Sequence, residues 1–485
     1  VSPLRPQPPA PWDEAQRQTL AWIDRFVADT RSALHVRRAD AMLMIRPDKT
    51  LPLNESAVEI LASLYDRARA PAAQVLHGLA GRLRVRPARL LDDTRVLVDA
   101  LGAVLREDFS PRPGLRFETF DRARLRFPTL AEIALTYGCQ NECSFCYASS
   151  PHREPERPPM SAADVRLVMD RIYRDAHVPS LSFTGGEATL RPDLPELIRY
   201  GAELGFRVNL ISNGLRLSNH AYARTLVGAG LASAQLSLEA ASPALHDEIV
   251  GLPGAHAQTV AAVRNLRALG IHVHTNTTLC TQNLAHAEDL IRFVARDLGL
   301  KTLSMNMVIR TGEALAHEDV GLTYTQVAAR LPDLLAVAEA EAVRLVWYSP
   351  IPYCIFNPVL HGLGAKSCAC VDGIVSVDPT GEVLPCSSFE TGIGSLVRQP
   401  FHRLYASRKA RYWRDKRFVP PVCEGCEHED LCGGACPLYW DAAGSFGELP
   451  RPGSDDPALY ERWVRARRAS GAFGVVPPGV HEGGE

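Results

Sequence analysis

Cys139, Cys143 and Cys146 fall in the string Cys-Gln-Asn-Glu-Cys-Ser-Phe-Cys, a CxxxCxΦC pattern (Φ aromatic) that follows the apolar run Leu130 to Leu135. Three thiolates at this spacing hold an iron–sulfur cluster and leave one iron without a protein ligand. An open iron can bind a substrate or cofactor directly, as a catalytic zinc keeps one position free where a structural zinc is closed. A zinc knuckle or a disulfide pair also groups cysteines, but zinc sites are usually closed by a fourth Cys or His at a short set spacing, and none follows here. The expectation is a reaction centre rather than a staple.

Phe183-Thr184-Gly185-Gly186-Glu187 ends a second strand-like run, and Ile211-Ser212-Asn213-Gly214 ends a third. The cysteine loop, the GGE motif and the strand-end polar residues, in this order, resemble the radical S-adenosylmethionine superfamily. The resemblance implies that the amino and carboxylate groups of S-adenosylmethionine chelate the open iron, and that the reduced 4Fe-4S cluster releases a 5′-deoxyadenosyl radical. It also implies cofactor-binding roles. Phe145 packs on the adenine, and Gly185 and Gly186 bring backbone close to the methionine ammonium because no Cβ intervenes. Glu187 adds a charge-assisted bond to that ammonium, while Asn213, Ser237 and Asn276 reach the ribose and carboxylate. A strand-end Asn or Ser is as often a satisfied loop polar group, and Glu239 in Ser-Leu-Glu has a structural reading. Ala188 stands where many relatives carry Pro. No residue declares itself a general acid or base.

A second cysteine field lies downstream. Cys370, then Gly381 and Cys386, resembles the front half of the SPASM auxiliary-cluster domain, and Cys423-x2-Cys426-x5-Cys432-x3-Cys436 its rear half. A zinc ribbon would need only two CxxC pairs. The pattern's final cysteine is missing, because no Cys follows Cys436, and two extra thiols, Cys354 and Cys368, lie upstream. By this resemblance one auxiliary cluster uses Cys370, Cys386 and Cys436 with Cys368 or Cys354. The other uses Cys423, Cys426 and Cys432 with an open or non-Cys position. Cys280, alone in Thr-Leu-Cys-Thr, reads as a small buried apolar residue. Ser387 follows Cys386 where sulfatase-maturing relatives carry an Asp base, which argues against that activity.

The elements that must position these residues follow from the rest of the chain. At 485 residues, 46% hydrophobic and 22% charged, the protein is long enough for two or three domains with a sizeable core. A net charge of -2 supplies no field to draw it onto nucleic acid or an anionic membrane. No run of 18 apolar residues exists, so no membrane span is expected. The Pro-rich lead lacks the apolar core of a secretory signal. Twelve cysteines in close groups then read as metal ligands in a reducing cytoplasm.

Residues 1–30 read as a Pro-rich lead followed by a helix over about Asp13 to Thr30. Residues 31–108 read as a winged-helix-like α+β domain. In it a hairpin (Ala41 to Ile45, turn Arg46-Pro47-Asp48-Lys49, then Leu51 to Leu53) precedes helices after Asn54, over Ala72 to Leu79 and over Pro87 to Leu105. This front domain resembles the PqqD-like chaperones that dock precursor peptides. Residues 109–128 form a linker around Ser110-Pro111-Arg112-Pro113-Gly114. Residues 129–345 alternate strands (130–136, 180–184, 206–211, 232–238, 271–279 and 301–308) with helices such as Ser161 to Arg174 and Asn283 to Leu298. That alternation predicts an α/β fold, a partial (β/α)6 TIM-like barrel with chemistry at its C-terminal strand ends. Residues 346–441 form a C-terminal Cys-rich iron–sulfur domain with little helix, and 442–485 a tail with one helix.

These readings converge on a maturase of a ribosomally made precursor peptide. The expected cofactors are S-adenosylmethionine, the 4Fe-4S cluster and one or two auxiliary iron–sulfur clusters, with a flavodoxin or ferredoxin-type electron donor as a further partner. Arg82, Arg84, Arg86 and Arg89 either steer an acidic leader or form a solvated basic face. Rival readings are modification of a small molecule such as a tetrapyrrole, sulfatase maturation, and an iron–sulfur DNA-binding regulator. The last is disfavoured by the balanced charge.

Overall fold

The computed structural model describes residues 12–45, 49–66, 68–108, 110–114, 116, 126–150 and 157–472. The Pro-rich lead before Trp12, the turn residues 46–48, most of the linker and the tail beyond Ala472 lie outside the described residues. The chain divides into two compact units, Val1–Arg126 and Phe127–Glu485.

The first unit contains α1 (Glu14–Thr30), β1 (Leu34–Arg37), β2 (Met42–Ile45), β3 (Lys49–Pro52), α2 (Glu55–Leu64), α3 (Ala72–Leu83) and α4 (Pro87–Leu105). Asp13 starts α1 because its carboxylate accepts from the Gln16 amide at 2.8 Å while the Gln16 side chain accepts from the Asp13 amide at 3.0 Å, satisfying donors that the first turn leaves unpaired. Leu20, Ile23 and Val27 then share one face and pack with Leu76, Leu79 and Val98. The sheet differs from the expected hairpin. It has three antiparallel strands in the order β1-β2-β3. The outer strand, Leu-His-Val-Arg, buries Leu34 and Arg37 at its two ends rather than alternate residues, so its period was not visible. Arg37 is buried because it pairs with Asp40 at 2.8 Å. Ala41 has φ +57 and belongs to the turn, which starts β2 one residue later than expected.

The second unit opens with β4 (Leu130–Ala134), α5 (Ala162–Asp170), β5 (Ser180–Thr184), α6 (Leu194–Leu204), β6 (Arg207–Ser212), α7 (His220–Gly228) and β7 (Ser233–Ser237). It continues through α8 (Pro243–Val250), α9 (Ala255–Ala268), β8 (His272–Leu279), α10 (Ala287–Arg296), β9 (Thr302–Met307), α11 (Tyr324–Ala340) and β10 (Arg344–Trp347). The Cys-rich region adds β11 (Ile374–Val377), β12 (Glu382–Leu384), β13 (Gly394–Ser395), α12 (Phe401–Tyr405), α13 (Arg408–Arg414), α14 (Glu429–Cys432), α15 (Pro437–Ala443) and α16 (Pro457–Ser470). The six expected strands are present, and Ser161 caps α5 through its box with Asp164.

These strands belong to a ten-stranded open sheet in the order β10-β9-β8-β7-β6-β5-β4-β11-β12-β13. It is parallel from β10 to β11 and antiparallel beyond. Two parallel strands were therefore missed. β10 has four residues, and β11 lies in the Cys-rich region, whose texture hid it. That region also carries more helix than expected. Ile133, Phe183, Leu210 and Leu236 are fully buried in one large core, while polar side chains on the other face neighbour each other in register: Gln235 with His274, Ser237 with Asn276, Thr278 with Asn306. This polar face floors the site.

Candidate active site and thiol centres

The cysteine loop leaves β4 and is held by backbone. The amides of Gly186 and Glu187 donate to the carbonyls of Thr136 at 2.7 Å and Gly138 at 2.8 Å, and that of Glu142 donates to Val250 at 2.9 Å. A Cβ at Gly185 would stand 2.2 Å from the Thr136 oxygen, and one at Gly186 would stand 2.5 Å from those of Tyr137 and Gly138. The glycines expected to bare backbone toward a cofactor thus also let two chain segments touch.

Three thiols border a cavity of about 290 Å³ at the C-terminal strand ends, together with Phe145, Gly185, Gly186, Asn213, Ser237 and Asn276. Phe145 packs beside Ile249, Val308 and Val320 around the fully buried Cys280, where a small apolar residue was expected. Amides point at the sulfurs: Asn141 N–H at 3.4 Å from Cys139 Sγ and Ser150 N–H at 3.4 Å from Cys146 Sγ. Asn213 Nδ2 lies 3.8 Å from Cys139 Sγ and 3.2 Å from Gln140 Oε1, and Asn276 bonds Asn306 at 2.9 Å and Ser304 at 2.9 Å.

Glu187 was expected to bond the methionine ammonium. Its carboxyl is fully buried and accepts from Thr189 N–H at 2.9 Å, Asn213 N–H at 2.8 Å and Ser212 Oγ at 3.0 Å. It braces the ends of β5 and β6 from behind the cavity, and burial pushes its acidity down. Glu239, given a structural reading, does border the cavity. Burial lifts its pKa to about 8, against the bond from the Thr278 amide.

Sequence reasoning missed Glu132, on the cavity wall. Burial raises its pKa, and it accepts from Ser376 Oγ at 2.6 Å and from Ser387. Tyr147, half-buried beside it, bonds Thr184 and Ser387. The signal was there: Leu-Ala-Glu-Ile-Ala places one charge in an apolar strand, and a carboxyl whose pKa is raised by burial is suited to exchange a proton inside a cavity.

Two further thiol sets lie in the Cys-rich region. In the first, Cys368 Sγ and Cys370 Sγ stand 3.2 Å apart, Cys386 bonds Cys370, and Cys436 lies within electrostatic reach of Cys368 and Cys386. Buried Lys416 pairs with Asp372 at 2.8 Å and donates to the Cys368 carbonyl. In the second, Cys423, Cys426 and Cys432 lie with Cys354 and Arg451, whose guanidinium donates to Cys426 Sγ at 2.5 Å and also bonds Cys354. The expectation that Cys354 or Cys368 joins Cys370, Cys386 and Cys436 therefore resolves: Cys368 lies there and Cys354 lies in the other set. No pattern had singled out Arg451.

These sets suit metal clusters. All twelve cysteines are free, and among the described residues no three His, Cys, Asp or Glu side chains close on a single ion. Burial pushes Cys139 up to about 11 and Cys423 up to about 12, and burial with neighbouring thiols lifts Cys143 and Cys436 well above the usual range. Such thiols give up their protons together only around a cation.

Residues 133–294 match the Radical SAM superfamily, and residues 368–427 match the SPASM iron-sulfur cluster-binding domain. This chain carries a radical SAM domain and a SPASM domain. Its cofactors are accordingly S-adenosylmethionine with a 4Fe-4S cluster, and auxiliary iron–sulfur clusters.

An AdoMet-dependent heme synthase of Oleidesulfovibrio alaskensis is 27% identical over 328 residues, covering 64% of this chain and 83% of that protein. A PqqA peptide cyclase of Rhodopseudomonas palustris is 28% identical over 357 residues, covering 72% and 92%. Streptococcus suis SuiB bound to its precursor peptide SuiA shares the fold with a TM-score of 0.61 at 16% identity, covering 85% of this chain and 96% of that one. Among the described residues no helix is long and apolar enough to cross a membrane.

Proposed function

We propose that this enzyme modifies a ribosomally made precursor peptide by hydrogen abstraction. Cys139, Cys143 and Cys146 hold the radical cluster, and Phe145, Gly185, Gly186, Asn213, Ser237 and Asn276 receive S-adenosylmethionine. Glu187 serves from behind, by setting Asn213. When bound, this cofactor pair supplies a 5′-deoxyadenosyl radical. The protein's part is to exclude water, to orient the peptide over the polar strand ends, and to offer Glu132 and Glu239 as buried acids that exchange protons. Cys354, Cys368, Cys370, Cys386, Cys423, Cys426, Cys432 and Cys436 ligate the auxiliary clusters, and a flavodoxin or ferredoxin-type donor supplies the electron.

The observation that carries the peptide reading is the separately packed first unit of sheet and helices. The fold likeness to SuiB covers 85% of the chain, more than residues 127–485 alone could supply. In this reading residues 31–108 are a PqqD-like capture domain. An extended leader adds to an outer strand of the β1-β2-β3 sheet, so main-chain bonds give affinity and pockets give selectivity. Exposed Arg82, Arg84, Arg86 and Arg89 steer an acidic leader. The match to heme synthases favours a second reading, a tetrapyrrole substrate, in which the first unit has no catalytic task.

The test is anaerobic turnover with S-adenosylmethionine, a reductant and the peptide encoded by a short reading frame beside the gene. The expected result is a mass change in the peptide with 5′-deoxyadenosine formed in proportion. An unchanged peptide, with a tetrapyrrole consumed in its place, would reverse the choice.

A further inference from the structure

No cysteine follows Cys436 in this sequence to close the second thiol set. What the fold brings there instead is a turn from far upstream, between β10 and β11. Ile351 is fully buried, and the amides of Ile355 and Phe356 donate back to the Pro352 carbonyl at 2.9 and 3.0 Å, curling residues 352–356 into one tight turn.

That turn docks on the loop carrying Cys426 and Cys432. Cys432 Sγ lies 4.0 Å from the Ile351 carbonyl and accepts from the Tyr353 amide, and the Tyr353 ring lies 6.1 Å from that of His428. The Tyr353 hydroxyl accepts from the Lys366 amide at 2.9 Å, which fixes the turn from its other side. Cys354, at the turn's exposed tip, thereby shares one guanidinium with Cys426, because Arg451 hydrogen-bonds both sulfurs. Arg451 is itself seated by backbone: its amide donates to Leu449 at 2.8 Å and its carbonyl accepts from Ser454 at 3.2 Å.

We infer that Cys354 is the fourth thiolate of the second auxiliary cluster, with Cys423, Cys426 and Cys432, and that Arg451 is a positioning residue that hydrogen-bonds its sulfurs and tunes its potential. This rests on the reading that the C-terminal thiols hold iron–sulfur clusters. Binding each thiol to iron releases its proton, so four thiolates gather negative charge and one adjacent guanidinium offsets part of it. Both ligand and cation lie outside residues 368–427, the segment that matches the auxiliary-cluster domain. With Cys368 completing the first set, both auxiliary clusters have four thiolates and no iron position for a substrate atom. Substrate or cofactor ligation falls to the three-thiol set of Cys139, Cys143 and Cys146.

The experiment uses the full chain with Cys139, Cys143 and Cys146 all changed to Ala, reconstituted anaerobically, so that only auxiliary iron is counted. Iron, sulfide, the electron paramagnetic resonance of the reduced protein and its midpoint potentials are the readouts. Absence of any cluster from this parent overturns the underlying reading, and the inference with it. In a parent showing two reduced clusters, adding Cys354→Ala is expected to remove one signal or convert it to a three-iron form. Cys368→Ala is expected to alter the other signal. Arg451→Gln should keep the iron count and lower the potential of the cluster that Cys354→Ala affects, because a hydrogen bond and a positive charge beside the sulfurs favour the reduced state. Unchanged iron and signals in Cys354→Ala make that cysteine a surface thiol and overturn the inference alone. So does a potential shift in Arg451→Gln that falls on the cluster sensitive to Cys368.

Discussion

The cysteine loop and the C-terminal thiol sets gather the same side chain by opposite means. Cys139, Cys143 and Cys146 lie within one short loop at strand ends, held by amides of the GGE turn and by the bond from the Glu142 amide to the Val250 carbonyl at the end of α8. Each C-terminal set joins distant segments: Cys368 and Cys370 with Cys386 and Cys436 for one, Cys354 with the Cys423–Cys432 loop for the other. A site encoded in one loop tolerates change elsewhere and fails when its loop moves. A site assembled from distant turns depends on the whole of its unit.

The comparison breaks most visibly with the triple Cys139→Ala, Cys143→Ala, Cys146→Ala variant. Production of 5′-deoxyadenosine should fall to background while auxiliary iron stays, measured by product chromatography and iron analysis; parallel loss of auxiliary iron would mean that the two regions are not independent. Gly185→Ala follows, because its Cβ would meet the Thr136 carbonyl at 2.2 Å from a backbone at φ +142. A cost of about 3 kcal/mol should appear as a lower Tm and as iron lost first from the cysteine loop. If the variant melts like the parent, the backbone junction does not hold the loop.

A smaller effect sharpens the electrostatic side. Glu239 ionises near 4.5 when unfolded and near 8 when folded, so between these values the unfolded chain binds fewer protons and stability falls as pH rises. Glu239→Gln in the iron-free protein should match the parent at pH 5 and melt higher at pH 8. Equal Tm-against-pH curves would show that the carboxyl is not held protonated. The least effect belongs to Ser161→Ala, which removes the cap of α5. It should cost about 1 kcal/mol and leave iron content unchanged.

What was legible in the sequence follows the same division. The loop cysteines, the six strands and the strand-end Asn213, Ser237 and Asn276 could be read because spacing and period are local. The role of Glu187 could not, because its three donors come from Thr189, Ser212 and Asn213 and fill its acceptor positions only once β5 and β6 are paired. Sequence distance left Cys354 and Cys368 as alternatives beside Cys370, and only the docked turn, which sets Tyr353 against Cys432, separates them. β11 was hidden because its pairing partner, β4, lies more than two hundred residues away. Arg451, in Pro-Arg-Pro, carried no pattern at all.

That long-range pairing bears on how the chain is made. Thr129 and Leu130 bond the carbonyl of Gly373, and Ser376 reaches Glu132 across 244 residues. Until that later stretch leaves the ribosome, β4 is an edge strand with one row of backbone groups open to any other strand. At synthesis rates of roughly 5–20 residues per second the exposure lasts roughly 12–50 s. A message truncated before the codons for β11 would yield a chain carrying all three loop cysteines yet with a permanently sticky flank, destined for aggregation or proteolysis. The fold thereby withholds a finished sheet from any product that lacks the start of the Cys-rich region, a form of quality control written into strand order.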